Sequence, residues 1–286
     1  MANKNFKFNS GTIEKYLGDA EVVEVPAEID GLPVTKIGDS AFWNCKNVVE
    51  VKVADTVNYI DDYAFGYCES LREIKIPDSV TYIGTNAFWN CESLIAIKIP
   101  DSLTKIGSGA FFNCVSLREI KFSNSVKEIG DTAFVWCSRL TEIKLPNSIT
   151  KISKNQFEGC TSLKKIHIPS SVTEIGNSAF VGCISLTELY IPNSVTEIGD
   201  NAFSHCNGLT EAYIPVSVTK IGDDVFSYCL GLIEAYIPDS VKVIGNDIVR
   251  ECENIQRVYI NIYSWSYADI LRILGKNPKF EILPLK

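Results

Sequence analysis

PNSVTEIGDNAFSHC, residues 192–206, is one copy of a stretch that recurs along the chain with small changes. Two other copies, PDSVTYIGTNAFWNC and PSSVTEIGNSAFVGC, end at Cys91 and Cys183. The ten cysteines stand at positions 45, 68, 91, 114, 137, 160, 183, 206, 229 and 252, so every gap between them is 23 residues. A fixed period of roughly 20–50 residues is typical of a solenoid, a propeller or another array of repeats.

Columns of apolar residues appear when the copies are aligned on the cysteine. Phenylalanine stands three residues before it in nine copies, from Phe42 to Phe226, and Val249 replaces it in the last. In LTELYIP, which ends at Pro192, Leu189 and Ile191 alternate with polar residues. This period-two pattern predicts a half-buried strand.

The rest of the repeat predicts turns around a second short strand. Pro192 cannot donate to a ladder and ends the first strand. V-T-E-I is a second extended segment. Gly199 is then predicted to take a positive φ. Asp200 is predicted to cap a short helical turn from which Ala202 and Phe203 face inward.

Stacking should bury the apolar face that a single 23-residue unit leaves open. We predict one solenoid domain over residues 1–286, with a partial repeat or cap over 1–30, repeats over 31–260 and a helical cap over 261–286. Strand candidates in the first cap are Val22, Val23 and Val25. In the second, SWSYADILRILGKNP predicts an amphipathic helix stopped by Gly275 and Pro278.

Composition excludes several classes of function. The net charge of −8 argues against nucleic-acid and anionic-membrane binding, both of which need a basic face. No apolar run is long enough to span a membrane. The N-terminus lacks the apolar segment of a signal peptide, so the chain as written is expected in the cytoplasm. A cell-surface or secreted location is the alternative if the chain is trimmed.

The cysteines could in principle form a metal array, a disulfide ladder, a nucleophile or part of the core. Zinc sites use pairs of closely spaced ligands, whereas no two cysteines here are nearer than 23 residues. Ten thiols in one row would strain disulfide geometry. A catalytic cysteine needs a base, and the two histidines, His167 and His205, are predicted to point away. We therefore predict free thiols that fill the core, with no metal and no cofactor.

Two outward columns flank the inward residue of the main strand. One holds glutamate in seven copies, and the other changes from lysine to tyrosine along the chain. The predicted partner-binding residues are Tyr190, Tyr213, Tyr236, Tyr259, Glu188, Glu211 and Glu234. Tyrosine offers contact area at low entropic cost. The alternative is that these columns only stack in a parallel sheet, with neighbouring Glu and Lys columns relieving repulsion.

A second aromatic cluster precedes the cysteines. Its members are Trp43, Trp89, Phe112 and Trp136. Exposed aromatic groups there would suggest an edge for self-association or docking. The alternative is that they pack on one another between repeats.

Common sequence motifs of enzymes are absent from the sequence. There is no G-x-x-x-x-G-K-[ST], H-E-x-x-H or G-x-S-x-G. The repeated I-G-D is a turn and lacks the pattern of a calcium loop. We therefore predict that the chain is not an enzyme.

The unit L-x-x-I-x-I-P-x-S-V-T-x-I-G-x-x-A-F-x-x-C resembles the BspA-type (Treponema pallidum-type) leucine-rich repeat over residues 31–260. Asp61, Ser153 and Gln156 depart from it. The resemblance implies a β-rich α/β fold, a right-handed leucine-rich repeat solenoid of about ten repeats with caps. It also implies binding, since family members are commonly bacterial or protist surface proteins that adhere to other molecules. The expected partner is a protein, less often a glycan. The alternative is a structural or assembly protein that uses the aromatic cluster.

Overall fold

The computed structural model describes residues 4–261, 263, 265–275 and 280–284. They form two compact units, Met1–Ser148 (unit 1) and Ile149–Lys286 (unit 2), and the single domain expected from the sequence stays a prediction. In both units a typical 23-residue rung contributes a main strand of three residues, a short strand of two residues and a run of tight turns. We call these three surfaces the main face, the short-strand face and the turn face.

Unit 1 contains fifteen strands within its described residues. They are β1 Phe6–Asn9, β2 Thr12–Tyr16, β3 Val22–Glu24, β4 Glu28–Ile29, β5 Leu32–Pro33, β6 Lys36–Ile37, β7 Glu50–Lys52, β8 Tyr59–Ile60, β9 Glu73–Lys75, β10 Tyr82–Ile83, β11 Ala96–Lys98, β12 Lys105–Ile106, β13 Glu119–Lys121, β14 Glu128–Ile129 and β15 Glu142–Lys144.

Unit 2 contains ten strands and one helix in the part of the chain that is described. They are β16 Lys151–Ile152, β17 Lys165–His167, β18 Glu174–Ile175, β19 Glu197–Ile198, β20 Glu211–Tyr213, β21 Lys220–Ile221, β22 Glu234–Tyr236, β23 Val243–Ile244, β24 Arg257–Tyr259, α1 Tyr267–Leu274 and β25 Glu281–Leu283.

The short-strand face is continuous within each unit, whereas the main face is interrupted. In unit 1 the short strands form one sheet in the order β1-β2-β6-β8-β10-β12-β14, which places equivalent isoleucines side by side. The main strands of the same unit divide into β3-β7-β9 and β11-β13. In unit 2 the short-strand sheet runs β16-β18-β19-β21-β23, and β20-β22-β24-β25 form the main sheet.

Hydrogen-bond lengths agree with this difference between the faces. Along the turn face of unit 1, backbone bonds between rungs measure 2.7–3.0 Å, as from Phe88 N–H to the Ala110 carbonyl at 2.8 Å. On the main face they reach 3.3 Å, as from Val53 N–H to the Lys75 carbonyl. Neighbouring rungs are therefore held more tightly at the turns, and the main face is where gaps open.

The core is a column of stacked phenylalanine rings. In unit 1, Phe88 lies 5.3 Å from Phe65 and 5.3 Å from Phe111, with interplanar angles of 3° and 1°. In unit 2, Phe180 and Phe203 stack in the same way at 5.3 Å. All of these rings are fully buried. Burial of the phenylalanine column, expected from the sequence, is confirmed.

The expected helical turn before each cysteine is absent from the described rungs. Consecutive tight turns replace it. In these turns Asn201 and His205 adopt the left-handed conformation, with φ values of 54° and 59°. Each left-handed residue directs its backbone N–H toward the next rung, as His205 donates to the Ser227 carbonyl at 2.9 Å. A helix would keep these N–H groups within its own turn. Asp200 therefore caps no helix, and its carboxylate accepts the Asp223 N–H at 2.9 Å.

The prediction that Gly199 takes a positive φ is wrong. The glycine is required by close approach, because a Cβ there would lie 2.6 Å from the backbone nitrogen of Asn177 in the preceding rung. Gly107 is in the same situation, with a Cβ only 2.5 Å from the Gly84 carbonyl carbon. The glycine column allows the backbones of neighbouring rungs to come into contact. The left-handed conformation is adopted two residues after each of these glycines, at Asn201 and Gly109.

The cysteines fill the core, as predicted, and they also make a bond that the sequence does not reveal. All ten are free, and all but the half-buried Cys45 are buried. Cys114 Sγ donates to the Phe88 carbonyl at 3.2 Å, and that oxygen also accepts the Cys91 N–H. The same thiol bond is made by Cys68, Cys91, Cys137, Cys183, Cys206, Cys229 and Cys252. Each of these thiols links its rung to the preceding one.

We expect the native thiols to react slowly, with Cys45 the fastest. Burial raises the pKa of the Cys252 thiol to about 12 and that of Cys114 further, so few thiolates exist at neutral pH. Burial also raises the pKa of Cys45, but this side chain is half-buried and nearby Lys15 opposes the shift. Absorbance after addition of a thiol-specific chromogenic disulfide, with and without urea, measures this directly. Several fast native thiols, or fewer than ten in urea without reductant, would contradict the account.

Both ends of the chain carry elements outside the repeat. A β1–β2 hairpin turns at Ser10 and Gly11, whose φ values of 45° and 86° suit a tight hairpin, and it covers the first rung. At the other end α1 ends at Gly275, as predicted, and Ile273 is fully buried. Pro278, the second predicted stop, lies outside the described residues. The sequence did not predict β25, which pairs with β24.

Replacing Ser266 with alanine should destabilise the C-terminal cap by about 1 kcal/mol. Ser266 Oγ accepts the Asp269 N–H at 3.1 Å, and the Asp269 carboxylate accepts in return from the Ser266 backbone at 3.3 Å, forming a capping box. Urea unfolding followed by circular dichroism gives the change. Ser266→Thr keeps the hydroxyl and should lose less, so an equal loss in both variants would contradict a capping role.

Candidate functional site

The main face of unit 2 opens at the rung that carries Tyr190. Where LTELYIP predicts a strand, residues 188–190 form no regular strand and make one isolated bridge, from Lys165 to Glu188. The inward residue of this rung, Leu189, is only half-buried, whereas the following one is the fully buried Ala212. The strand predicted here is therefore corrected to an irregular segment.

A cleft of about 560 Å³ lies at this opening. Its walls come from the β17 rung, the irregular segment and β20. The outward side chains that line it include Lys165, His167, Glu188, Tyr190, Glu211 and Tyr213. Four of the seven residues predicted to bind a partner therefore surround one depression.

The four predicted tyrosines divide into two pairs. Tyr236 and Tyr259 stack at 4.5 Å with an interplanar angle of 3°, and both are half-buried. Tyr213 contacts Tyr236 at 5.9 Å in a tilted arrangement. Tyr190 is 70% exposed and Tyr213 64% exposed, so these two rings present most of their surface to solvent. Stacking accounts for Tyr236 and Tyr259, whereas Tyr190 and Tyr213 stay mostly exposed even though Tyr213 touches Tyr236.

The three predicted glutamates also differ in their surroundings. Glu234 accepts from Tyr236 Oη and from Arg257 Nη1, both at 2.5 Å. These bonds lower the pKa of Glu234, the tyrosine contributing most, and raise that of Tyr236. Glu188 pairs with Lys165 at 3.0 Å. Glu234 is thus bonded to two side chains of its own chain, and Glu188 to one.

Clefts of the same kind in unit 1 have different walls. One lies at the break between β9 and β11 and is bordered by Lys75 and Lys98. Another, between β13 and β15, is bordered by Lys121 and Lys144. The interruption of the main face is therefore a general feature of the fold. The unit 2 cleft differs from these two in having two exposed tyrosines, Tyr190 and Tyr213, in place of the lysines.

The aromatic cluster predicted as an alternative edge lies on the turn face of unit 1. Trp43 lies over Gly66, where a Cβ would come within 2.6 Å of the indole, and packs on Tyr67 at 4.9 Å. Tyr67 in turn meets Trp89 at 4.9 Å. Further along, Phe112 lies 6.3 Å from Trp89 and 5.1 Å from Trp136. Trp43 and Trp136, at the two ends, remain 41% and 50% exposed. Mutual packing, the alternative considered from the sequence, describes most of this cluster.

Among the described residues, no group of three or more metal-ligating side chains could hold an ion. In the same part of the chain, no helix has the length and apolar character needed to cross a bilayer.

Comparison with known proteins identifies the family. The model of the BspA type leucine rich repeat region matches residues 35–138 and 127–256, in six copies. This is more than half of the chain, which therefore belongs to the BspA-type leucine-rich repeat family. The family and the solenoid expected from the sequence are confirmed. No curated protein matches the chain significantly.

Solved structures agree with this assignment. A T. pallidum leucine-rich repeat protein is 35% identical, with a TM-score of 0.63, over 66% of this chain and 91% of that one. The pneumococcal vaccine antigen PcpA has 18% identity and a TM-score of 0.55 over 100% of this chain and 98% of its own. A leucine rich cell surface protein from Faecalibacterium prausnitzii has 24% identity and a TM-score of 0.50, covering 99% and 94%. The last two similarities concern the fold alone.

Proposed function

We propose that the chain is a non-enzymatic recognition module that binds a protein partner through the main face of unit 2, in an adhesion-like manner. The observation that carries the proposal is the cleft with Tyr190 and Tyr213 on its rim, the two exposed rings of the tyrosine column. Repeat solenoids of this class use extended surfaces for binding. A glycan is the less favoured ligand.

The character of the surface supports a protein ligand. Tyrosine combines a large apolar ring with a hydroxyl, and it is enriched in protein interfaces. The neighbouring rungs hold Tyr236 and Tyr259 in a fixed stack, which gives the exposed pair a rigid surround. A stable interface needs about 1,000 Å² in total, so the partner must also contact surface beyond the cleft.

Affinity capture with three matched baits tests the proposal. The baits are the native chain, a Tyr190→Thr/Tyr213→Thr variant and a Tyr59→Thr/Tyr82→Thr control. The control removes the stacked tyrosine pair of the short-strand face in unit 1, whose rings lie 4.4 Å apart. Threonine preserves strand propensity, and circular dichroism verifies folding.

A partner of the native chain should be retained by the control and lost by the first variant. With the purified partner, we expect the Tyr190/Tyr213 variant to bind about tenfold more weakly, the effect of losing roughly 1.4 kcal/mol. Equal affinity for all three baits would overturn the proposal. Loss of binding on replacement of Trp43 and Trp136 instead would favour the structural or assembly alternative.

A further inference from the structure

The cleft contains one carboxylate whose charge is not matched within the described part of the chain. In unit 1 the glutamates of the main strands can use the lysine two residues further on, as Glu119 does with Lys121 at 2.9 Å. Glu50 reaches Lys52 in the same way at 3.8 Å. In unit 2 tyrosine replaces that lysine, so this pairing within one strand is lost.

The two glutamates next to Glu211 in the column pair with cations of adjacent rungs instead. Glu188 pairs with Lys165 of the rung before it at 3.0 Å. Glu234 pairs with Arg257 of the rung after it at 2.5 Å. Glu211 stands between these two glutamates in the column and is exposed, and no cation of the described residues reaches it. It is therefore the carboxylate that can accept a cation from outside.

The groups around Glu211 suit a cationic side chain. Tyr190 and Tyr213, on the same cleft, expose ring surface that attracts a cation within about 6 Å. A carboxylate accepts an arginine guanidinium through two parallel bonds. Lys165, a cation that borders the cleft, is already paired with Glu188, so Glu211 is available to a cation of the partner. His167 lines the opposite wall.

We infer that this cleft receives an arginine or lysine side chain of the partner, with its charge at Glu211 and its stem against Tyr190 and Tyr213. The inference rests on the proposed function and names the chemistry that the site recognises. It predicts a basic segment in the partner and binding that weakens as salt concentration rises.

Nuclear magnetic resonance of the full chain, labelled in its tyrosine rings, tests this inference. The probes are acetyl-Gly-Arg-Gly-amide and its lysine and glutamate counterparts. Replacing Tyr190 or Tyr213 with phenylalanine assigns the two signals. We expect saturable shifts of both rings with the arginine probe and none with the glutamate probe. Glu211→Gln should weaken binding about fivefold, whereas Glu73→Gln, an exposed glutamate of β9 beside Lys75, should leave it unchanged.

Failure of this inference differs from failure of the proposed function. Unchanged rings with the arginine probe, equal shifts with the glutamate probe, or full affinity in Glu211→Gln would each overturn it. If a captured partner still depends on Tyr190 and Tyr213, the proposed function survives that result. If the arginine probe binds as expected and no partner depends on Tyr190 and Tyr213, the cation-binding site is supported and the proposed function is overturned.

Discussion

Replacing Phe88 with alanine should destabilise the protein by about 3–5 kcal/mol. The ring is fully buried and stacks on Phe65 and Phe111, both at 5.3 Å. Truncation removes its apolar surface and both ring contacts and leaves a cavity between two rungs. Domains are stable by only about 5–15 kcal/mol, so the loss is a large share of the total. The midpoint and slope of urea unfolding measure it.

Two control variants test whether the loss comes from the buried volume of the Phe88 ring. Phe88→Leu keeps most of the buried volume and should lose clearly less than Phe88→Ala. Phe112→Ala should also lose less, because Phe112, which directly follows the core ring Phe111, is only half-buried at the turn face. A Phe88→Ala variant within 1 kcal/mol of the native chain would show that the phenylalanine column does not carry the core.

Replacing Gly107 with alanine should cost about 2–3 kcal/mol, the upper part of the range for overpacked sites. The added Cβ would lie 2.5 Å from both the Gly84 carbonyl carbon and the Thr85 nitrogen. These are backbone atoms, so no side-chain rotation can relieve the clash. The two rungs would have to separate on the face where they are bonded most tightly.

Gly182→Ala is the matched comparison. Gly182 has a positive φ of 72°, but the nearest atom to an added Cβ is 3.9 Å away. Its cost should come from the left-handed backbone alone and be about 1 kcal/mol. If Gly182→Ala destabilised the protein more than Gly107→Ala in urea unfolding, backbone conformation would explain the glycines and close approach would not.

The rung itself could be predicted from the sequence because its columns have simple physical causes. The period of the cysteines fixes the length of a rung, and the phenylalanine and aliphatic columns identify its buried side. The cap helix was predictable from its periodicity and from Gly275, since both signals are local. The tyrosine and glutamate columns could be placed outward by alternation alone.

What could not be predicted depends on contacts between rungs. A glycine required by a neighbouring backbone and a glycine required by a positive φ look the same in one sequence, which is why the prediction for Gly199 failed. Asn201 and His205 gave little sign of their left-handed conformation, although asparagine tolerates it. The opening at residues 188–190 could not be predicted, because LTELYIP keeps the alternating pattern of a strand and only the structure shows that the pairing is interrupted there. The division of the tyrosines into a stacked and an exposed pair likewise depends on ring contacts between rungs.

Amide hydrogen exchange of the chain, with and without its captured partner, tests the proposed recognition surface most directly. The account predicts protection on binding at residues 187–190 and 210–213, with little change at residues 43–44 and 135–136 of the turn face in unit 1. Protection confined to the turn-face segments, with exchange at 187–190 and 210–213 unchanged, would contradict it.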